Sequence, residues 1–132
     1  MNLLLDTHVW VWSQVEPDRI GPKAQRELET ATRLYVATIS SLEIARLASV
    51  GLLELDESID QWIQASVEAL QCSSIEMTHK VAVGAYQLPG EFHKDPADRI
   101  LVATAREHNL TLVTADERIL AYEAVKCLDA EH

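Results

Sequence analysis

Apolar residues along this chain fall into short unbroken runs, separated by longer stretches with helical spacing. Residues 2–5 include three consecutive leucines without polar alternation, the pattern of a strand covered on both faces. Residues 34–37, 73–77, 110–114 and 125–128 are further short β-like runs. Between them, residues 7–15, 22–32, 40–50, 58–70, 78–88 and 96–108 read as helices, and a short helix follows residue 114. The punctuation agrees. Pro22 suits a first helical position, Gly51 and Asn109 suit C-terminal caps, and Pro89-Gly90 stops the segment before it. Alternating strands and helices predict an α/β fold, with a central parallel sheet of four to five strands and right-handed crossovers covering both faces. The chain of 132 residues fits one domain, 1–132, able to bury a core without staples.

The apolar runs end on acids. Asp6 closes the first strand, Glu43 lies early in the helix after the second, and Asp116 follows the fourth. Asp98 opens the helix that leads into that fourth strand. In a parallel sheet all strand C-termini face one edge, where ligands of open α/β sheets bind. Four acids therefore converge there.

Helix capping is the competing explanation, because Asp favours N-caps and acids favour helix N-termini. Taken singly, Asp6 reads as a cap. Counting caps weakens that explanation for the set. Ser40 is available to cap the helix of Glu43, Thr114 that of Asp116, and Asp95 the helix that starts at Pro96. Glu43 can return a capping-box bond to Ser40, but Asp98 is too short for that role and Glu117 occupies it beside Asp116. Four carboxylates held together repel unless protons or cations neutralise them. Hard oxygen ligands suit Mg²⁺ or Mn²⁺, which activate water and suit in-line attack on a phosphodiester.

The remaining composition narrows the field. A net charge of −10 disfavours a protein that coats nucleic acid through a basic surface, yet leaves room for one that meets phosphates through divalent cations and for a basic protein partner. No apolar run approaches a membrane span, the start lacks a signal-peptide pattern, and Cys72 and Cys127 read as buried free thiols, so a cytoplasmic location is expected. No glycine-rich phosphate loop and no zinc spacing is present.

Four segments, LLLDTHVWVW, SSLEIARL, HKDPADRILVATA and LVTADERI, resemble the PIN-domain family in order and spacing, and in particular the VapC-type toxins of bacterial toxin–antitoxin pairs. The resemblance implies a PIN-like three-layer α/β/α sandwich and an endoribonuclease dependent on Mg²⁺ or Mn²⁺. By position, Asp6, Glu43, Asp98 and Asp116 would be the acidic quartet that holds the metal and carries catalysis. Asp95 would cap or support, Thr7 and Thr114 match hydroxyl positions beside the acids, and Ser40 matches the hydroxyl opening the Glu43 helix. Ala97 departs from the pattern, standing where this subgroup often carries a bulky aromatic. The resemblance further implies an RNA substrate, a homodimer, a small antitoxin, and operator DNA reached only through that antitoxin.

Arg99 is expected to pair with a carboxylate in preference to an RNA phosphate, with Lys94 and Arg46 as weaker phosphate candidates. Trp10 and Trp12 lie about 200° apart on a helix, so one is expected in the core and the other at an interface. Trp62 reads as core or partner groove, and the histidines mostly as surface residues. Two rivals stand beside the nuclease: a catalytically weak binding module assembling with antitoxin on DNA, and a phosphatase using Asp6 as nucleophile. The phosphatase would want a second Asp at the position of His8.

Overall fold

The computed structural model describes residues 1–132. In chain order the elements are β1 (Asn2–Leu5), α1 (Thr7–Val15), α2 (Pro22–Thr30), β2 (Arg33–Ala37), α3 (Thr38–Ser49), α4 (Ile59–Leu70), β3 (Ser73–Ile75), α5 (His79–Gly84), α6 (Pro96–His108), β4 (Thr111–Thr114), α7 (Glu117–Leu120) and β5 (Cys127–Asp129). A 3₁₀ turn, Pro17–Arg19, joins α1 to α2. The five strands form one all-parallel sheet in the order β3-β2-β1-β4-β5. The chain winds outward from β1 through β2 to β3, then returns to place β4 against the other side of β1. That reversal opens a crevice at the C-terminal ends of β1 and β4.

The leucine run explains the layers. Leu3 and Leu5 point into a core with Trp10 of α1, Ala24 of α2, Ile44 of α3 and Trp62 of α4. Leu4 points the other way, into a core with Leu101, Val102 and Ala105 of α6 and Ile119 of α7. All three leucines are wholly buried, each removing about 1.5–3 kcal/mol of apolar side chain from water. The result is an α/β/α sandwich, with α5 packed against the outside of α6. No helix is long and apolar enough to cross a membrane.

Several boundaries differ from the expected ones. The second helix ends at Thr30 because Ala31 is extended. The third begins at Thr38, two residues early, with Ala37 at its N-cap and no side-chain cap. The fifth shrinks to His79–Gly84, capped by Thr78. Trp10 and Trp12 are both buried, so neither waits at a free interface. Trp10 stacks on Trp62 at 5.6 Å and donates its ring N–H to Ser66 Oγ at 2.9 Å, whereas the Arg19 guanidinium covers Trp12 at 4.2 Å. Gly21 allows a close backbone approach: a Cβ there would lie 2.4 Å from the carbonyl carbon of His132. Cys72 and Cys127 are free and half-buried, and burial followed by the charge of Asp6 pushes the Cys127 thiol up to about 11.

Candidate active site

Asp6 is delivered by β1 and fixed by β4. It is 5% exposed, its N–H donates to Val113 O at 3.0 Å, and its Oδ2 accepts from Thr114 Oγ1 at 2.5 Å. It occupies the N-cap position of α1 yet makes no side-chain cap bond, so capping does not account for it. Burial raises its pKa above the ordinary carboxylate value, against the pull of the Thr114 hydrogen bond. The same Thr114 oxygen accepts from the Asp116 N–H at 3.1 Å, so one hydroxyl joins two acids.

Asp116 corrects the expectation that Thr114 caps the last helix. Asp116 is itself the N-cap of α7, and its Oδ1 accepts the Arg118 N–H at 2.8 Å. Arg118 folds back over the same carboxylate, with Nε 3.3 Å from Oδ1 and Nη2 3.0 Å from Oδ2. Burial alone would raise this carboxyl, but the Arg118 side-chain and backbone bonds outweigh it and hold the group below its ordinary value.

Asp98 sits in the first turn of α6, aimed by the cap that Asp95 provides: Asp95 Oδ1 accepts the Asp98 N–H at 3.1 Å. Its carboxyl is pushed up to about 7, first by burial and then by the charges of Asp6, Asp95, Asp116 and Glu43. Glu43, on α3, is raised by burial and by Asp95, while Arg46 at 3.7 Å offsets part of that. Ligand atoms of Glu43, Asp95 and Asp98 lie within 4.8 Å of one another, and so do those of His93, Asp98 and Asp116. Asp98 is the hinge of both triplets. Asp6 belongs to neither and lies deeper, yet it heads the charges that Asp98 feels.

The supporting hydroxyls divide. Thr114 touches the acids directly. Thr7 Oγ1 instead donates to Ser40 Oγ at 2.8 Å, a buried bond that ties the start of α1 to the helix carrying Glu43. Ser40 is therefore an anchor between helices, not the cap of α3. Arg99 pairs with no carboxylate. Its Nε donates to Ala85 O at 2.8 Å, and its Nη1 to Phe92 O at 2.9 Å and His93 O at 3.1 Å. The reason is position: it faces the irregular segment 85–93, whose carbonyls have no helix or strand to serve them.

Two residues near the acids escaped the reading of the sequence. His93 Nε2 is sealed from solvent 3.0 Å from Asp98 Oδ2, without the alignment of a hydrogen bond. Burial, and then Arg118, hold the imidazole below its ordinary value, so this contact is not an ion pair at neutral pH. Arg118 is the other, and its signal was its place two residues after Asp116. For His93 the signal was the short HKDP spacing, which folds the loop back onto the helix start.

The donor set suits a hard divalent cation. It consists almost wholly of carboxylate oxygens from separate elements, and burial first, then neighbouring acids, raises Asp6, Glu43 and Asp98 above the ordinary carboxylate value. A cation of that class would offset the cost of holding these carboxylates ionised together.

The sequence matches the family model of the PIN domain over residues 3–125. It is 39% identical over 121 residues to Ribonuclease VapC22 of Mycobacterium tuberculosis, covering 92% of each chain. Among solved structures the fold resembles VapBC2 from Rickettsia felis bound to a DNA fragment from their promoter, with a TM-score of 0.73, 15% identity and coverage of 97% of this chain and 98% of that one. It also resembles DNA-bound VapBC from Salmonella typhimurium, with a TM-score of 0.69, 16% identity and 98% of both chains covered. With the family model spanning nearly the whole sandwich and the relative nearly the whole sequence, the chain belongs to the PIN-domain family, in its VapC-type branch.

Proposed function

We propose that this chain, acting as one domain, is a toxin-type endoribonuclease that hydrolyses cellular RNA with a divalent cation, Mg²⁺ or Mn²⁺. A small cognate antitoxin neutralises it. The observation that carries the reading is the gathering of acids from β1, α3, α6 and the β4–α7 turn around one edge, with Asp98 holding its proton up to about 7. The ribonuclease name of the 39% identical relative supports the substrate class. The toxin–antitoxin complexes of like fold support the partner. Operator DNA is contacted through the antitoxin, and the toxin works as a homodimer in the cytoplasm.

In this reading Asp6, Asp98, Asp116 and Glu43 hold the cation, directly or through water. When bound, it supplies Lewis acidity to the phosphate and makes water a better nucleophile. The chain provides the rest. Thr114 sets the angle of Asp6 and the spacing to Asp116, and Asp95 sets Asp98 through the first turn of α6. The water oxygen bonds to phosphorus as the bond to the 3′ oxygen breaks, and that oxygen takes a proton from solvent, leaving a 5′-phosphate and a 3′-hydroxyl. Glu43, at the flank of the cluster and raised in proton affinity, accepts the water's proton.

The test is cleavage of structured RNA by the purified chain with Mn²⁺, together with mapping of new RNA 5′ ends after induced expression with and without the antitoxin. New ends, lost in Asp6→Asn, are expected. Unchanged growth with no new ends would overturn the reading.

A further inference from the structure

Arg118 is a cation that the chain itself places against its acids. Besides covering Asp116, its Nη2 comes within 3.9 Å of Asp98 Oδ2. The side chain is 62% exposed, so packing does not hold it there. Nor does Asp116 need the guanidinium for its orientation. The backbone N–H of residue 118 already binds Oδ1 through the turn, whereas Oδ2 has the guanidinium as its sole partner. Removing the guanidinium would thus bare one oxygen, facing Asp98, while leaving the carboxylate aimed.

A divalent cation held by Asp98 and Asp116 competes with the guanidinium for that carboxylate, and two positive groups repel at such range. The displaced guanidinium stays tethered at the rim, one side chain's length from the place of reaction. Its planar fork of N–H donors matches the anionic oxygens of a phosphodiester. Arg99 is committed to three carbonyls, Arg46 lies beside Glu43, and Arg19, which lines the cavity with Asp6 and Asp116, is stacked on Trp12; Arg118 is the guanidinium in contact with the Asp98–Asp116 pair. We propose, resting on the ribonuclease reading above, that Arg118 has two stations. It sits on Asp116 Oδ2 until a divalent cation takes that oxygen, and then on a non-bridging oxygen of the scissile RNA phosphate.

The two stations give opposite signs in one variant. In calorimetric titration of the full chain with Mn²⁺ and no RNA, Arg118→Ala binds the ion about tenfold tighter than wild type, because an internal competitor worth a typical coupling is gone. In RNA cleavage at saturating Mn²⁺ the same variant loses about 10²-fold in kcat, the usual cost of removing one donor to developing charge. Arg118→Lys falls between on both measures, keeping the charge but not the fork. Equal or weaker Mn²⁺ binding by Arg118→Ala overturns the first station. A kcat unchanged or raised overturns the second. If the wild-type chain cleaves no RNA, the ribonuclease reading and the second station fall together, while the titration still decides the first.

Discussion

The acid pocket has an inner and an outer half, built by different physics. The inner half is Asp6, buried between two central strands and held by Thr114, with no cation touching it. The outer half is Asp98 and Asp116, each at a helix start and each within reach of Arg118. Sheet geometry fixes the inner acid, so it can change little. The outer acids lie on turns and meet groups that can leave. A site of this kind keeps one rigid carboxylate and adjusts the others as cation and substrate arrive.

The largest expected effect breaks the inner half. Asp6→Asn should lower RNA cleavage by about 10³-fold or more and weaken Mn²⁺ binding, because the amide can neither carry the charge nor replace the anionic ligand. The decisive measurement is single-turnover cleavage beside Mn²⁺ titration. Retained binding with lost cleavage would separate ligation from chemistry at this residue.

Next comes the loop that supports the outer half. Arg99→Met should destabilise the protein by about 2–4 kcal/mol, since three carbonyls lose a charged donor, and should loosen His93 and Asp98 together. Urea unfolding reads the first effect and Mn²⁺ affinity the second. Full stability in Arg99→Met would refute the clamp.

The joint between the halves is Thr114. Thr114→Val should cost about 10–100-fold in metal affinity or cleavage, the usual range when a group orienting a ligand is lost, and Thr114→Ser should recover most of it. Full function in Thr114→Val with loss in Thr114→Ser would mean that the methyl packing matters and the hydroxyl does not.

The smallest effect is on stability against pH. Asp98 is raised from 3.8 to about 7, so between those values the folded chain holds a proton that the unfolded chain has released. Stability without divalent ions therefore falls as pH rises through that window, and Asp6 and Glu43, also raised, add in the same direction. Two groups act the other way: Asp116, held below 3.8, only around and below that value, and His93, held below 6.5, which trims the fall as pH rises toward 6.5. Thermal unfolding should show Tm dropping by a few degrees from pH 5 to pH 8, with Mn²⁺ reversing the drop. A Tm that rises over this range would remove the argument for raised carboxylates.

Much of this was legible from patterning. The leucine run without alternation announced a strand buried on two faces, and the spacing of strand ends announced the acids at one edge. Both follow from local rules. What the sequence hid depends on tertiary choices between partners. Ser40 looked like a helix cap but found Thr7, thirty-three residues away. Asp116 looked free of capping duty because Thr114 stood ready, yet Thr114 was drawn to Asp6 and left the cap to Asp116. Arg99 sits beside Asp98 in sequence, but adjacent residues of a helix diverge, and its face met bare carbonyls instead. His93 and Arg118 were missed because their spacings, the short HKDP loop before α6 and two residues past Asp116, belong to turns and not to a helix or strand period.

Anomalous diffraction from crystals of the full chain grown with Mn²⁺ tests the central claim most directly. The account predicts a peak in the pocket, within about 2.5 Å of oxygens from Asp98 and at least one of Asp6 and Asp116, with the Arg118 guanidinium withdrawn from Asp116 Oδ2. Manganese bound only elsewhere, with Arg118 still seated on Asp116 in a preparation that cleaves RNA, would contradict it.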